Sequence, residues 1–194
     1  MLRISIDKLD ELFEEISAKQ TLYIPTDRED GAAEYKKYES GMKLSGKLNT
    51  LRSAKDFFFP QTENLVDFKM EGKTIEVIDT REESEDFVVF GVRACDARSF
   101  TILDKVFLSD PVDSYYKNRR DHGTIVTMAC TRPAETCFCQ TFDIDPTAPE
   151  GDVACWNDGK YIYFAWRNEK GEAFLDCLSG VLGDAAALSA ACLS

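Results

Sequence analysis

Strand and helix signals that alternate along 194 residues predict a mixed α/β domain on a central, partly parallel sheet flanked by helices and hairpins. Three observations carry that expectation. FVVFGV (Phe87 to Val92) and TIVTMA (Thr124 to Ala129) are unbroken apolar runs, as expected of strands covered on both faces. Between them Phe100, Leu103, Val106 and Phe107 recur at helical spacing. Strand, helix and strand across 87–129 form a βαβ unit, and the right-handed crossover makes its two strands parallel and close neighbours.

The other elements follow in chain order. LRISI alternates as a short strand, and from Asp7 the stripe of Leu9, Leu12, Phe13 and Ile16 predicts an amphipathic helix ending near Gln20. TLYIP (Thr21 to Pro25) reads as a second strand. Residues 27–55 are polar, carry Gly31, Gly41 and Gly46, and lack a clear period; they are expected to form a mobile or partner-facing excursion. KMEGKTIEVIDT turns at Glu71-Gly72 as a hairpin, DSYYKNRRDHG contains a short helix, and GDVACWNDGKYIYFAW is a hairpin turning at Asn157-Asp158-Gly159. FLDCLSGVLGDAAALSAA suggests a terminal helix interrupted near Gly180 and Gly183.

Bulk properties exclude several functions. A chain of this length buries a core without crosslinks, so its seven cysteines, an odd number, are not a disulfide framework. The opening MLRISIDKLDELFEE lacks the apolar stretch of a secretory signal, and reduced thiols in the cytoplasm are expected. No apolar run approaches the roughly 20 residues of a membrane span. A formal charge of -12 disfavours nucleic acid, because phosphates would be repelled, and reads first as a solvated surface.

The chemistry concentrates in thiols. CTRPAETCFCQ holds Cys130, Cys137 and Cys139, and both apolar strands run into cysteine, at Cys95 and Cys130. Ligand sites of open α/β sheets lie outside the carboxyl ends of the strands, which brings Cys95 to the rim where the other three lie. A helix starting at Asp96 or just after it would aim its first amides at the same place. Four thiolates suit either zinc or an iron-sulfur cluster. Six residues separate Cys130 from Cys137 and one separates Cys137 from Cys139, unlike the paired C-x-x-C knuckles of structural zinc, so the spacing leans toward a cluster. A zinc-stabilised structural module and a thiol-redox switch at Cys137 and Cys139 stay open as alternatives.

Neighbouring motifs each have a plain structural reading. Phe57, Phe58 and Phe59 of KDFFFPQTENL read as core aromatics, with packing over the metal site as the functional alternative. Arg93 either compensates the charge of a cluster or is solvated at a strand end. Asp96 reads as a helix cap. Tyr115, Tyr116, Arg119 and Arg120 stack on adjacent turns or offer a docking surface. His122, the single histidine, complements a helix end. Cys155, Cys177 and Cys192 read as small buried hydrophobes. No glycine-rich phosphate loop and no Ser-His-acid set is present, so the chain is expected to conduct electrons as part of an oxidoreductase complex rather than to act as a catalyst alone.

GVRACDARSFTILDKVFL, DSYYKNRRD, TMACTRPAETCFC and KDFFFPQTENL are spread over roughly Leu48 to Asp152. They resemble the amino-terminal domain of the family that joins the hydrogenase beta subunit with the matching iron-sulfur subunit of anaerobic sulfite reductase. Members of that family are iron-sulfur electron-transfer proteins. The resemblance implies that Cys95, Cys130, Cys137 and Cys139 ligate a cluster, with a [4Fe-4S] cubane as the expected type and zinc as a possible substitute. It also implies two partner subunits, one bearing flavin and linked to NAD(P)H, the other a catalytic hydrogenase or sulfite-reductase subunit. Members continue into a ferredoxin-like segment with C-x-x-C-x-x-C-x-x-x-C sets, which this sequence lacks. Residues 1–194 are therefore expected to be the N-terminal iron-sulfur domain of a longer subunit, with the apolar end AALSAACLS as an internal boundary.

Overall fold

The computed structural model describes residues 1–47, 49–81 and 84–185. Strand β1 (Leu2–Ser5) passes through a 3₁₀ turn into α1 (Leu9–Ser17), which buries the predicted stripe of Leu9, Leu12, Phe13 and Ile16. The helix stops short of Gln20, although the amides of Lys19 and Gln20 still donate to the Ile16 carbonyl at 3.0 and 2.9 Å. Next come β2 (Thr21–Asp27) and β3 (Ala33–Lys37), and then the hairpin of β4 (Val66–Glu71) and β5 (Thr74–Asp79). The βαβ region comprises β6 (Phe87–Arg93), α2 (Ala94–Phe107), α3 (Ser114–His122) and β7 (Gly123–Met128). It is followed by β8 (Val153–Asn157), β9 (Tyr161–Trp166), α4 (Glu169–Asp176) and the short β10 (Gly183–Asp184). The C-terminal helix thus ends at Asp176; where the sequence suggested a continued terminal helix, 177–181 are turns and 183–184 pair with β1 as β10, and residues 186–194, with Cys192, lie outside the described residues.

The eight-stranded sheet runs β10-β1-β9-β8-β7-β6-β2-β3. The central pairs β2/β6, β6/β7 and β7/β8 are parallel, and the outer pairs are antiparallel. The β4/β5 hairpin forms a separate two-stranded sheet. In the stretch 27–55, where the sequence offers no period, β3 pairs along β2 from Tyr23↔Lys37 to Asp27↔Ala33. Its sequence AEYKK shows how edge pairing can overrule weak local patterning.

Helices cover both faces of the sheet, which explains the unbroken apolar strands. On one face α1 and α4 pack Phe13, Ile16, Phe174 and Leu175 against Val88, Phe90, Val126, Val153 and Phe164. On the other, Ala97 and Phe100 of α2, Tyr116 of α3 and Phe58 cover Val89, Val92 and Ile125. Alternation along β6 would send Val92 to the first face; a bulge between Phe90 and Val92 returns it to the second. Gly91 provides that bulge at φ 79°, and a β-carbon there would also press on the Pro25 ring at 3.2 Å. The bulge re-aims the last residues of β6 just before the first candidate cysteine. Gly123 opens β7 against the rings of Phe58 and Phe87, which a side chain there would strike.

Two helix starts are capped by side chains. The Asp113 carboxylate accepts from the Tyr115 and Tyr116 amides at the start of α3, and Asn168 accepts from Gly171 at the start of α4. Among the described residues no helix is long and apolar enough to cross a membrane.

Candidate metal centre

The carboxyl ends of β6 and β7 carry the thiols. β6 ends at Arg93 and α2 begins at Ala94, two residues earlier than expected, so Cys95 lies inside the first turn of the helix. The helix has no side-chain cap at Arg93. Its first amides serve sulfur instead: the Ala94 N–H donates to the Cys130 thiol and the Asp96 N–H to the Cys95 thiol. Asp96 therefore does not cap; its Oδ1 accepts from Ser53 Oγ at 2.7 Å, pinning the 53–57 turn to α2.

Past Met128 the chain leaves the sheet. The Cys130 amide donates to the Pro146 carbonyl at 2.9 Å, which folds the thiol-rich loop back beside the strand end. Within the loop the Ala134 amide donates to Cys137 Sγ at 3.2 Å, and the Cys137 amide returns a bond to the Ala134 carbonyl at 3.0 Å. Cys139 opens a single 3₁₀ turn to Phe142, closed by Asp143 in the left-handed region and by the Ile144 amide on the Cys139 carbonyl at 3.0 Å.

Cys95, Cys130, Cys137 and Cys139 line one cavity of about 560 Å³. Among the described residues no three His, Cys, Asp or Glu side chains are grouped tightly enough to hold one metal ion. Burial is the main cause that raises the Cys95 and Cys130 thiols above their ordinary range. At Cys95 the charges of Asp96, Cys139 and Cys130 push further in that direction, and the Asp96 amide opposes them. At Cys130 the Arg93 guanidinium and the Ala94 amide oppose burial, while Cys139 and Cys137 add to it. Four thiolates in this space repel one another until a cation arrives, so binding a metal there releases protons.

Arg93 donates to the Lys47 carbonyl at 2.8 Å and forms a wall shared by this cavity and a second hollow on the α1 side. The donor set fits an iron-sulfur core: soft thiolates, three amides directed at sulfur and a cationic wall. That the first amides of the helix aim at the thiols was legible in the sequence; which amide reaches which sulfur was not, because an alanine at 94 or 134 announces nothing until the turn around it is known.

The flanking motifs serve structure. Phe58 is fully buried against Phe87 and Phe100, Phe57 stacks on Tyr23 at 4.4 Å, and Phe59 is half exposed on Phe107 at 4.7 Å. None of the three lines the thiol cavity. Arg120 grips Asp104 at 2.9 and 3.0 Å, Arg119 grips Glu63 at 2.9 and 2.7 Å, and the Tyr115 hydroxyl donates to the Leu65 carbonyl at 2.8 Å. These side chains fasten α3 to α2 and to the segment before β4 instead of forming a free docking face. His122 Nδ1 lies 2.7 Å from Asp86 Oδ1 at the end of α3, away from the cysteines. Cys155 is buried as expected, but Cys177 is exposed, because it follows the last turn of α4 on the face turned away from Phe174 and Leu175.

Fold and cavity together define an α/β domain with a four-thiol site outside the carboxyl ends of its parallel strands. Over 93 residues the chain is 38% identical to sulfhydrogenase 2 subunit beta of Pyrococcus furiosus, a match covering 43% of this chain and 28% of that protein. The chain is thus a partial homologue of a hydrogenase beta subunit. No family model matches it, and no solved structure matches it.

Proposed function

We propose that this chain is the cluster-bearing domain of an electron-transfer subunit in a hydrogenase-type oxidoreductase, with Cys95, Cys130, Cys137 and Cys139 as the ligands of one [4Fe-4S] cluster. The observation that carries the reading is the shared cavity, where a thiol from the start of α2 faces three from the loop after β7. A tetrahedral zinc with Zn–S near 2.3 Å would draw its sulfurs to about 3.8 Å from one another. A C-x-C pair such as Cys137 and Cys139 opens outward more easily around a larger multi-metal core than around one small ion, which favours the cluster.

When bound, the cluster supplies reversible one-electron transfer. The four cysteines hold it, the amides of Ala94, Asp96 and Ala134 donate to the sulfurs, and Arg93 offsets the net negative charge. The amide donors and the Arg93 charge favour the reduced state and raise the potential, against the lowering effect of the four thiolates. Electrons would pass in the cytoplasm between two partner subunits, one bearing flavin and linked to NAD(P)H, the other a catalytic hydrogenase or sulfite-reductase subunit. The partial match to a hydrogenase beta subunit supports the hydrogenase branch.

Anaerobic purification with iron, sulfide and zinc analysis tests the reading. The expected result is brown protein with about four irons and four sulfides per chain and absorbance that bleaches on reduction. One zinc in colourless protein would replace the relay with a structural module. Metal-free protein whose Cys137 and Cys139 alkylate fast would replace it with a thiol switch.

A further inference from the structure

We propose that Phe138 and Phe142 form the contact on which a partner protein domain with its own redox centre docks over the cysteine site; this rests on the cluster reading above. Phe138 lies between Cys137 and Cys139 and lines their cavity, and Phe142 closes the turn that Cys139 opens. The two rings are 61% and 59% exposed and pack edge to face, with centroids 5.5 Å apart. They are held outward by a bonded frame: Thr141 N–H to the Phe138 carbonyl at 3.0 Å, Asp143 N–H to the Gln140 carbonyl at 3.3 Å, and Ile144 N–H to the Cys139 carbonyl at 3.0 Å.

The position of the pair identifies its occupant. Behind the thiols lie the ends of β6 and β7 and the first turn of α2, so the Cys137–Phe142 loop is the wall that faces outward. Cys95 and Cys137 are both exposed, and a second redox centre that approaches on the Cys137 side meets that wall. Two rings projecting from a loop are convex, whereas small-molecule sites are concave, so the shape suits a protein surface. Aromatic side chains give large contact area at low entropic cost and are enriched where interfaces are strongest. The β4/β5 hairpin exposes a longer apolar strip through Phe68, Met70 and Val77, but nothing beside it specifies what would cover it.

In the exchange one electron leaves the partner's centre and reduces the cluster of this chain, with no atom transferred. The test uses the anaerobically loaded protein, its Phe142→Ser variant, which leaves the lining of the thiol cavity intact, and Phe68→Ser as a control on the hairpin. Each is oxidised and mixed with either reduced methyl viologen or a reduced bacterial two-cluster ferredoxin. Phe142→Ser should keep its iron and its viologen rate and lose about tenfold or more of its ferredoxin rate, with Phe68→Ser unchanged. An unchanged ferredoxin rate, equal slowing with both donors, or a parent protein that accepts electrons from viologen and not from ferredoxin overturns the docking contact. Iron lost from Phe142→Ser overturns it too and makes the ring a shield for the cluster. A parent protein that holds no iron fails at the earlier step and overturns the cluster reading itself.

Discussion

Cys155 and Cys130 carry the same group on neighbouring parallel strands and have opposite characters. Cys155 pairs in register with Met128, two residues before Cys130. It is fully buried, and burial pushes its thiol up to about 12 despite the opposing charge of Arg93. Cys130 lies past the strand end, half exposed, on a cavity wall with the Ala94 amide directed at its sulfur. Two residues of strand therefore separate an inert core atom from a candidate ligand. A thiol becomes a ligand through where the sheet ends and which amides face it.

The sharpest way to break this comparison is to exchange serine for the thiols. Cys95→Ser should abolish the cluster, read as near-zero iron and sulfide in folded protein, while Cys155→Ala should leave metal content unchanged. Equal behaviour of the two would void the distinction. The next effect runs in the other direction. Phe13 shares the Cys155 core and packs edge to face on Phe90 at 5.1 Å, so Phe13→Ala should cost about 3–5 kcal/mol in denaturant unfolding while iron per folded chain is preserved. Phe138→Ser, on the exposed loop, should change stability by no more than about 0.5 kcal/mol.

The smallest effect lies far from both thiols. At the end of β5 the Arg81 guanidinium, helped by the Arg81 amide, holds the Asp79 carboxyl at about 2, below its ordinary value. A depressed carboxyl stabilises the fold above the unfolded value near 3.9 and loses that contribution as pH falls toward 2. Asp79→Asn should flatten the stability curve over that window and leave the cluster untouched. Denaturant midpoints that fall as steeply in the variant as in the parent would remove Arg81 as the cause.

The βαβ unit was legible because its strands are apolar on both faces and its helix has a clean period. The α1 stripe was legible for the same reason, and so was the turn at Gly72, which adopts φ 63°. β3 was not, since AEYKK has no apolar alternation and gains its partner only from β2. The start of α2 was misplaced by two residues because Asp96 looks like a cap, whereas its carboxylate is taken by Ser53, 43 residues away in sequence. Cys177 was misassigned because its apolar neighbour Leu178 does join the core, whereas Cys177 itself, just past the end of α4, is exposed.

By itself the sequence determined the strand and helix types, the four thiols and their order, and the edge of the sheet to which they belong, because hydrophobic period and parallel crossover are local consequences of residue order. The shape of the site was decided only in the tertiary structure. The Gly91 bulge against β7 and Pro25, the fold-back of the loop onto the Pro146 carbonyl and the Ala94 amide facing the Cys130 sulfur depend on contacts between residues far apart in the chain, and no short window of sequence contains both ends of such a contact.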